Sequence, residues 1–82
     1  KTTQLQLTAR YLLDRGYEVV TTREPGGTKL AERIRNIVLD ADAAVNPRTE
    51  VLLYLAARAE HVEKVIRPAL DAGKIVLVYL LP

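Results

Sequence analysis

From Gln4 to Arg15 apolar residues fall at Leu5, Ala9, Leu12 and Leu13, the one-face spacing of an amphipathic helix, and Gly16 stands where a left-handed residue would end it. Tyr17 to Thr22 is rich in β-branched and aromatic residues and predicts a strand. Arg23-Glu24-Pro25-Gly26-Gly27-Thr28 follows as a loop, with Pro then Gly suited to the centre of a type II turn. Thr28 can cap a second helix to about Leu39, with Leu30, Ile34, Ile37 and Val38 as its buried stripe. A polar connector, Asp40 to Arg48, separates it from a third helix starting at Thr49. Pro68 predicts a break or kink near Val65 to Arg67, then a short helix to Ala72, Gly73 as its stop, and a strand from Lys74 to Leu81. Helices alternating with apolar strands predict an α/β domain with a parallel sheet covered on both faces.

Composition narrows this picture. The chain has 82 residues, room for one small domain, and no cysteine to add a disulfide or a thiolate metal site, so its own stability should be marginal. It contains no methionine and no export-signal pattern, and it reads as a piece of something longer. The formal charge is +2, with basic and acidic residues interleaved, so no basic stripe for nucleic acid follows. Its aromatic residues are four tyrosines, too few for a base-stacking platform. The longest apolar run, Ile75 to Leu81, falls far short of the ~20 residues that span a bilayer. The expectation is a cytoplasmic domain that binds neither nucleic acid nor membrane.

Four segments carry candidate chemistry. Lys1-Thr2-Thr3 before a helix matches the back end of G-x-x-x-x-G-K-[ST], where a lysine and a helix N-terminus bind phosphate and a hydroxyl binds Mg²⁺; read alone, three residues also fit an ordinary polar end. The Arg23 to Thr28 loop leaves the C-terminal end of a parallel strand, the edge where open α/β sheets bind ligands, and its glycines would admit a ligand close to the backbone. On the third helix Val51, Leu52, Leu55, Ala59 and Val62 form an apolar arc into which Arg58 intrudes. Tyr54 and Arg58 are four apart and project together, so they suit a planar polar ligand, by stacking and by a fork of hydrogen bonds. An internal ion pair of Arg58 with Glu24 or Glu50, or a snorkelling side chain, accounts for the same charge. His61 reads as a helix-surface or interface residue, and Arg35, beside Arg33, as either a solvated basic edge or an anion site facing the Arg23 loop.

Taken in order, these segments resemble the N-terminal half of the bacterial thymidylate kinase family, within the P-loop nucleoside-monophosphate kinases. The resemblance rests on Lys1-Thr2-Thr3-Gln4, Thr22-Arg23-Glu24-Pro25-Gly26-Gly27-Thr28, Ala31-Glu32-Arg33-Ile34-Arg35 and Thr49-Glu50-Val51-Leu52-Leu53-Tyr54 running into Arg58-Ala59-Glu60-His61-Val62. It extends through Pro68-Ala69-Leu70 to Gly73-Lys74-Ile75-Val76-Leu77. It implies a three-layer α/β P-loop kinase fold with a parallel sheet, present here as a partial domain, and transfer of the ATP γ-phosphoryl group to dTMP with Mg²⁺. It further implies that Lys1, Thr2 and Thr3 contact donor phosphates, with Thr2 on the Mg²⁺. Pro25, Arg35, Tyr54 and Arg58 would bind dTMP, with Tyr54 where the family often has Phe, and Arg35 on the acceptor phosphate. Lys1, Arg23 and Glu24 form the implied catalytic set, and the family suggests a homodimer.

The sequence departs from that pattern in two places. The strand and glycines that precede the lysine in the family are not part of this sequence. After Leu77 the family continues with an Asp-Arg pair, whereas Val78-Tyr79-Leu80-Leu81-Pro82 stands here and looks like a later core strand. The expectation is that residues 1–82 join separate stretches of one kinase domain near Leu77 and Val78, hold mainly the dTMP site, and are inactive alone. Another P-loop monophosphate kinase, or a non-catalytic interaction module of the same fold, is the alternative.

Overall fold

A computed structural model of the chain describes residues 2–40 and 45–80. Its elements are α1 (Thr2–Asp14), β1 (Val19–Glu24), α2 (Lys29–Leu39), α3 (Pro47–His61), a π-helical turn (Val62–Ile66), α4 (Arg67–Asp71) and β2 (Ile75–Leu80). The strands pair in parallel, with Val19 opposite Ile75 and Glu24 opposite Leu80. This is the expected α/β arrangement: α2, α3 and α4 form the crossover that a parallel pair requires. Helices α1 and α4 pack on the strands, while α2 and α3 pack on each other.

Local chemistry explains most boundaries. Gly16 and Gly73 end α1 and α4 with φ of 89° and 77°. Paired bonds close both ends: Gly16 N–H to Leu13 O with Tyr17 N–H to Leu12 O, and Gly73 N–H to Leu70 O with Lys74 N–H to Ala69 O. Thr28 caps α2, its hydroxyl accepting from Ala31 N–H at 3.0 Å. The predicted kink is a widened turn: Pro68 has no N–H to donate, and Arg67 N–H reaches back five residues to Val62 O.

Several expectations are corrected. Strand β1 lies two residues later than Tyr17 to Thr22, because Arg23 and Glu24 pair with Tyr79 and Leu80; they are strand residues, not loop. No type II turn follows: the Glu24–Pro25 bond is cis and Gly26 has φ of 142°, far from the ~80° such a turn needs. Helix α3 begins at Pro47, two residues before Thr49, because Asn46 caps it by accepting from Arg48 N–H at 2.9 Å and proline suits the first helical turn. The buried stripe of α2 is Ala31 and Ile34 with Val38 partly covered, while Leu30 and Ile37 are exposed; on α1 Leu13 is exposed too.

Helix α3 is turned from the orientation its apolar arc predicts. Val51, Leu52 and Leu55 face outward, and Leu53, Tyr54, Ala57 and His61 face inward. Fully buried Ala31 and Ala57 lie in one cluster with Ile34, and these small side chains let α2 and α3 approach closely. Coverage of both sheet faces is not reached within these residues, since Val78 and Leu80 are exposed on a sheet of two strands. Among the described residues no helix is long and apolar enough to cross a membrane.

Candidate functional site

The C-terminal end of β1 and the inward face of α3 meet at Glu24. Thr22 and Glu24 are two residues apart on a strand and share a face, while Tyr54, Arg58 and His61 recur at spacings that align them on one side of a helix. Glu24 is buried, its side chain 8% exposed. Its Oε2 accepts from Arg58 Nη2 at 2.7 Å and from Arg58 Nε at 3.2 Å, a fork that fixes the guanidinium plane. Arg58 Nη2 also donates to the Tyr54 hydroxyl at 3.4 Å, and the guanidinium carbon lies 5.3 Å from the Tyr54 ring centre.

Arg58 therefore has the internal partner that the sequence offered as one explanation of its charge. It is not core-facing as the apolar arc implied: its side chain is 47% exposed, held at its base by Glu24 and open to solvent beyond. Burial pushes the Glu24 pKa up, but the Arg58 hydrogen bonds and charge, helped by His61, outweigh it and leave the carboxyl below the usual glutamate value. Glu24 is thus an anion that orients a cation.

His61 is fully buried, which overturns its reading as a surface residue. Its Nε2 lies 2.6 Å from Thr22 Oγ1, and its Nδ1 stands 3.5 Å from Glu24 Oε1 without making a hydrogen bond. The ring also explains Gly27: a Cβ there would overlap the imidazole, coming 2.6 Å from Nε2, and the backbone has φ of 93°. Sequence reading missed this role because a lone histidine carries no pairing signal. The three-residue step from Arg58 to His61 on the helix was the available clue.

A second ion pair stands beside the first. Arg23 donates to Glu32 through Nη2 and, at 3.3 Å, through Nε, and Gly27 N–H reaches Glu32 Oε2 at 3.3 Å. The Arg23 bonds are the main cause that lowers the Glu32 pKa. This cluster borders a groove of about 460 Å³ lined by Arg23, Gly27, Thr28, Lys29, Glu32 and Arg33. Arg35, on the same helix, is partly buried, and its Nε is buried with no hydrogen-bond partner.

The structure brings Glu24, Pro25, Tyr54 and Arg58 around one crevice, which Gly26, Ala57 and His61 complete and which has no space for a water molecule. A planar ligand would accordingly lie over Tyr54 and Arg58 at its mouth, not inside it. Arg23 is turned to Glu32 instead. Thr3 lies in the first turn of α1. Lys1 and the side chain of Thr2 lie outside the described residues, as does Leu81, the expected end of the second strand. Among the described residues no group of three His, Cys, Asp or Glu could by itself hold a metal ion.

A family model described as thymidylate kinase matches residues 1–79. Curated relatives named thymidylate kinase from Geotalea uraniireducens and Exiguobacterium sibiricum are 54% and 58% identical over 78 residues, 94% of this chain and 37% of theirs. A crystal structure of thymidylate kinase from Ehrlichia chaffeensis matches with a TM-score of 0.84 at 43% identity, covering 96% of this chain and 45% of that one. The chain thus spans a little over a third of the length of the curated relatives it matches.

Proposed function

Because this chain belongs to the thymidylate kinase family, we propose that the protein containing it transfers the γ-phosphoryl group of ATP to the 5′-phosphate of dTMP, giving dTDP for nucleotide biosynthesis. The observation that carries the reading is the Glu24–Arg58–Tyr54 unit at the C-terminal end of a parallel strand. That edge is where open α/β sheets bind ligands. The unit offers a ring face for a base and a cation of fixed plane beside it. The bonds to Glu24 and Tyr54 engage Nε and Nη2, so Nη1 is the edge left to donate to a base carbonyl.

The remaining roles follow from position. Pro25 lines the base side, and Arg35, whose buried Nε has no partner, supplies charge for the acceptor phosphate. Arg23 and Glu24 act near that pocket, Arg23 from the groove and Glu24 through Arg58. Lys1, Thr2 and Thr3 would hold the donor phosphates at the start of α1, where free backbone N–H groups favour anions. Mg²⁺ bound with ATP would neutralise phosphate charge, taking most of its ligands from phosphates and water. Catalysis of this kind is positioning and charge stabilisation, with no covalent enzyme intermediate. The same reading gives a cytoplasmic homodimer, expects no turnover from residues 1–82 alone, and keeps a junction near Leu77 and Val78.

Steady-state kinetics of the full-length protein with ATP, Mg²⁺ and dTMP, dUMP or AMP test this. The expected result is a preference for dTMP, with Arg58→Ala raising the dTMP KM about 10- to 100-fold, the loss of one charge-assisted hydrogen bond, and kcat changing far less. Preference for another monophosphate points to a sister kinase. No turnover with any of the three overturns the reading.

A further inference from the structure

His61 is the largest fully buried side chain among the described residues, and the proposed chemistry makes no use of it. An imidazole withdrawn from water needs its two nitrogens accounted for. Nε2 is 2.6 Å from the Thr22 hydroxyl, a group able to donate or accept. Nδ1 faces Oε1 of Glu24 at 3.5 Å. An ionised carboxylate only accepts, so the proton of a neutral ring belongs on Nδ1, and Nε2 then accepts from Thr22 Oγ1–H.

Polarity therefore converges on Glu24 from both sides. Thr22 donates to His61, His61 Nδ1 faces Oε1 of Glu24 across 3.5 Å without a hydrogen bond, and the other oxygen of Glu24 accepts from Nε and Nη2 of Arg58. The ring has little freedom to leave this place, because Gly27 approaches it so closely that even a methyl group would not fit.

We propose that His61 is a positioning residue of the acceptor site: it sets the rotation of the Glu24 carboxylate, which in turn aims the Nη1 edge of Arg58 at a nucleobase lying on Tyr54. The nature of that base rests on the thymidylate kinase reading; the linkage through Glu24 rests on the distances above.

Two isosteric substitutions separate the nitrogens, since the amide of Asn reaches the place of Nδ1 and that of Gln the place of Nε2. In the full-length enzyme His61→Asn keeps the dTMP KM within about threefold of wild type, while His61→Gln raises it about tenfold with kcat and the ATP KM within about twofold. In a Glu24→Gln background the contrast between the two disappears. Ring ¹⁵N shifts of His61 in the wild-type protein, which need no variant to fold, should show Nδ1 protonated and Nε2 bare. Equal behaviour of the two variants, a parallel change in kcat or ATP KM, or the opposite tautomer overturns the role of His61 and leaves the kinase reading standing. A wild-type enzyme that leaves dTMP untouched overturns the kinase reading and the acceptor role with it.

Discussion

Glu24 is a carboxylate withdrawn from water and kept charged by Arg58, and that combination makes the site sensitive to acid. Its folded pKa lies below its unfolded one, so the unfolded chain binds a proton more readily; the stabilisation is present above the unfolded value of about 4.3 and is lost as pH falls through the folded value. Glu32, lowered by Arg23, adds a second contribution of the same sign. We expect the urea midpoint of the full-length protein to hold from pH 7 to about pH 5 and to fall as the pH is lowered below about 4.3, and to fall less in Glu24→Gln, which retains only the Glu32 part. At this scale the sequence made Arg58 conspicuous and named Glu24 as a possible partner. It did not single out His61, because burial of one histidine depends on the strand and helix that enclose it.

The helix pair α2–α3 shows what element-scale patterning can and cannot decide. Caps are local, and Thr28, Gly16 and Gly73 act where the sequence puts them. The face that α3 buries is not local. Counting apolar bulk selects Val51, Leu52 and Leu55, yet the structure buries the Ala57 side, since close approach to Ala31 needs small residues there. Ala57→Leu should therefore destabilise the full-length protein by roughly 1–3 kcal/mol, the cost of overpacking, read as a lower urea midpoint with an unchanged slope. A shift no larger than that of an exposed surface change would mean that α2 and α3 are less tightly packed. The late start of β1 has a similar origin, because Arg23 and Glu24 are poor strand formers by composition and become strand by pairing with Tyr79 and Leu80.

At the scale of the molecule, the Cα radius of gyration is 14.6 Å and the extents are 46 × 27 × 18 Å, whereas a compact chain of this length has a radius of about 12 Å. Few residues are buried, and large apolar side chains stand exposed on α1, α3 and β2. Such a shape suits a span that covers 37% of its curated relatives. The homodimer proposed above would find on the outward face of α3, with Leu52 66% exposed beside Val51 and Leu55, an apolar surface to cover. Leu52→Glu should then shift sedimentation from dimer to monomer while leaving the far-ultraviolet circular dichroism intact; an unchanged sedimentation coefficient would exclude this face.

What the sequence determined by itself was whatever depends on neighbours along the chain: the order of elements, the glycine stops, the Thr28 cap, the proline-disturbed turn, and the i, i+4 pairing of Tyr54 with Arg58. The motifs that follow one another from Lys1 to Leu77 also carried the family. Tertiary structure alone decided the rotation of α3, the extension of β1 to Glu24, and the gathering of Thr22, Gly27 and His61 around that carboxylate. Those choices join residues far apart in the chain, 34 positions for Glu24 with Arg58 and 39 for Thr22 with His61, and are set by close packing and by the need to satisfy a buried charge, neither of which has a period that a linear pattern can display.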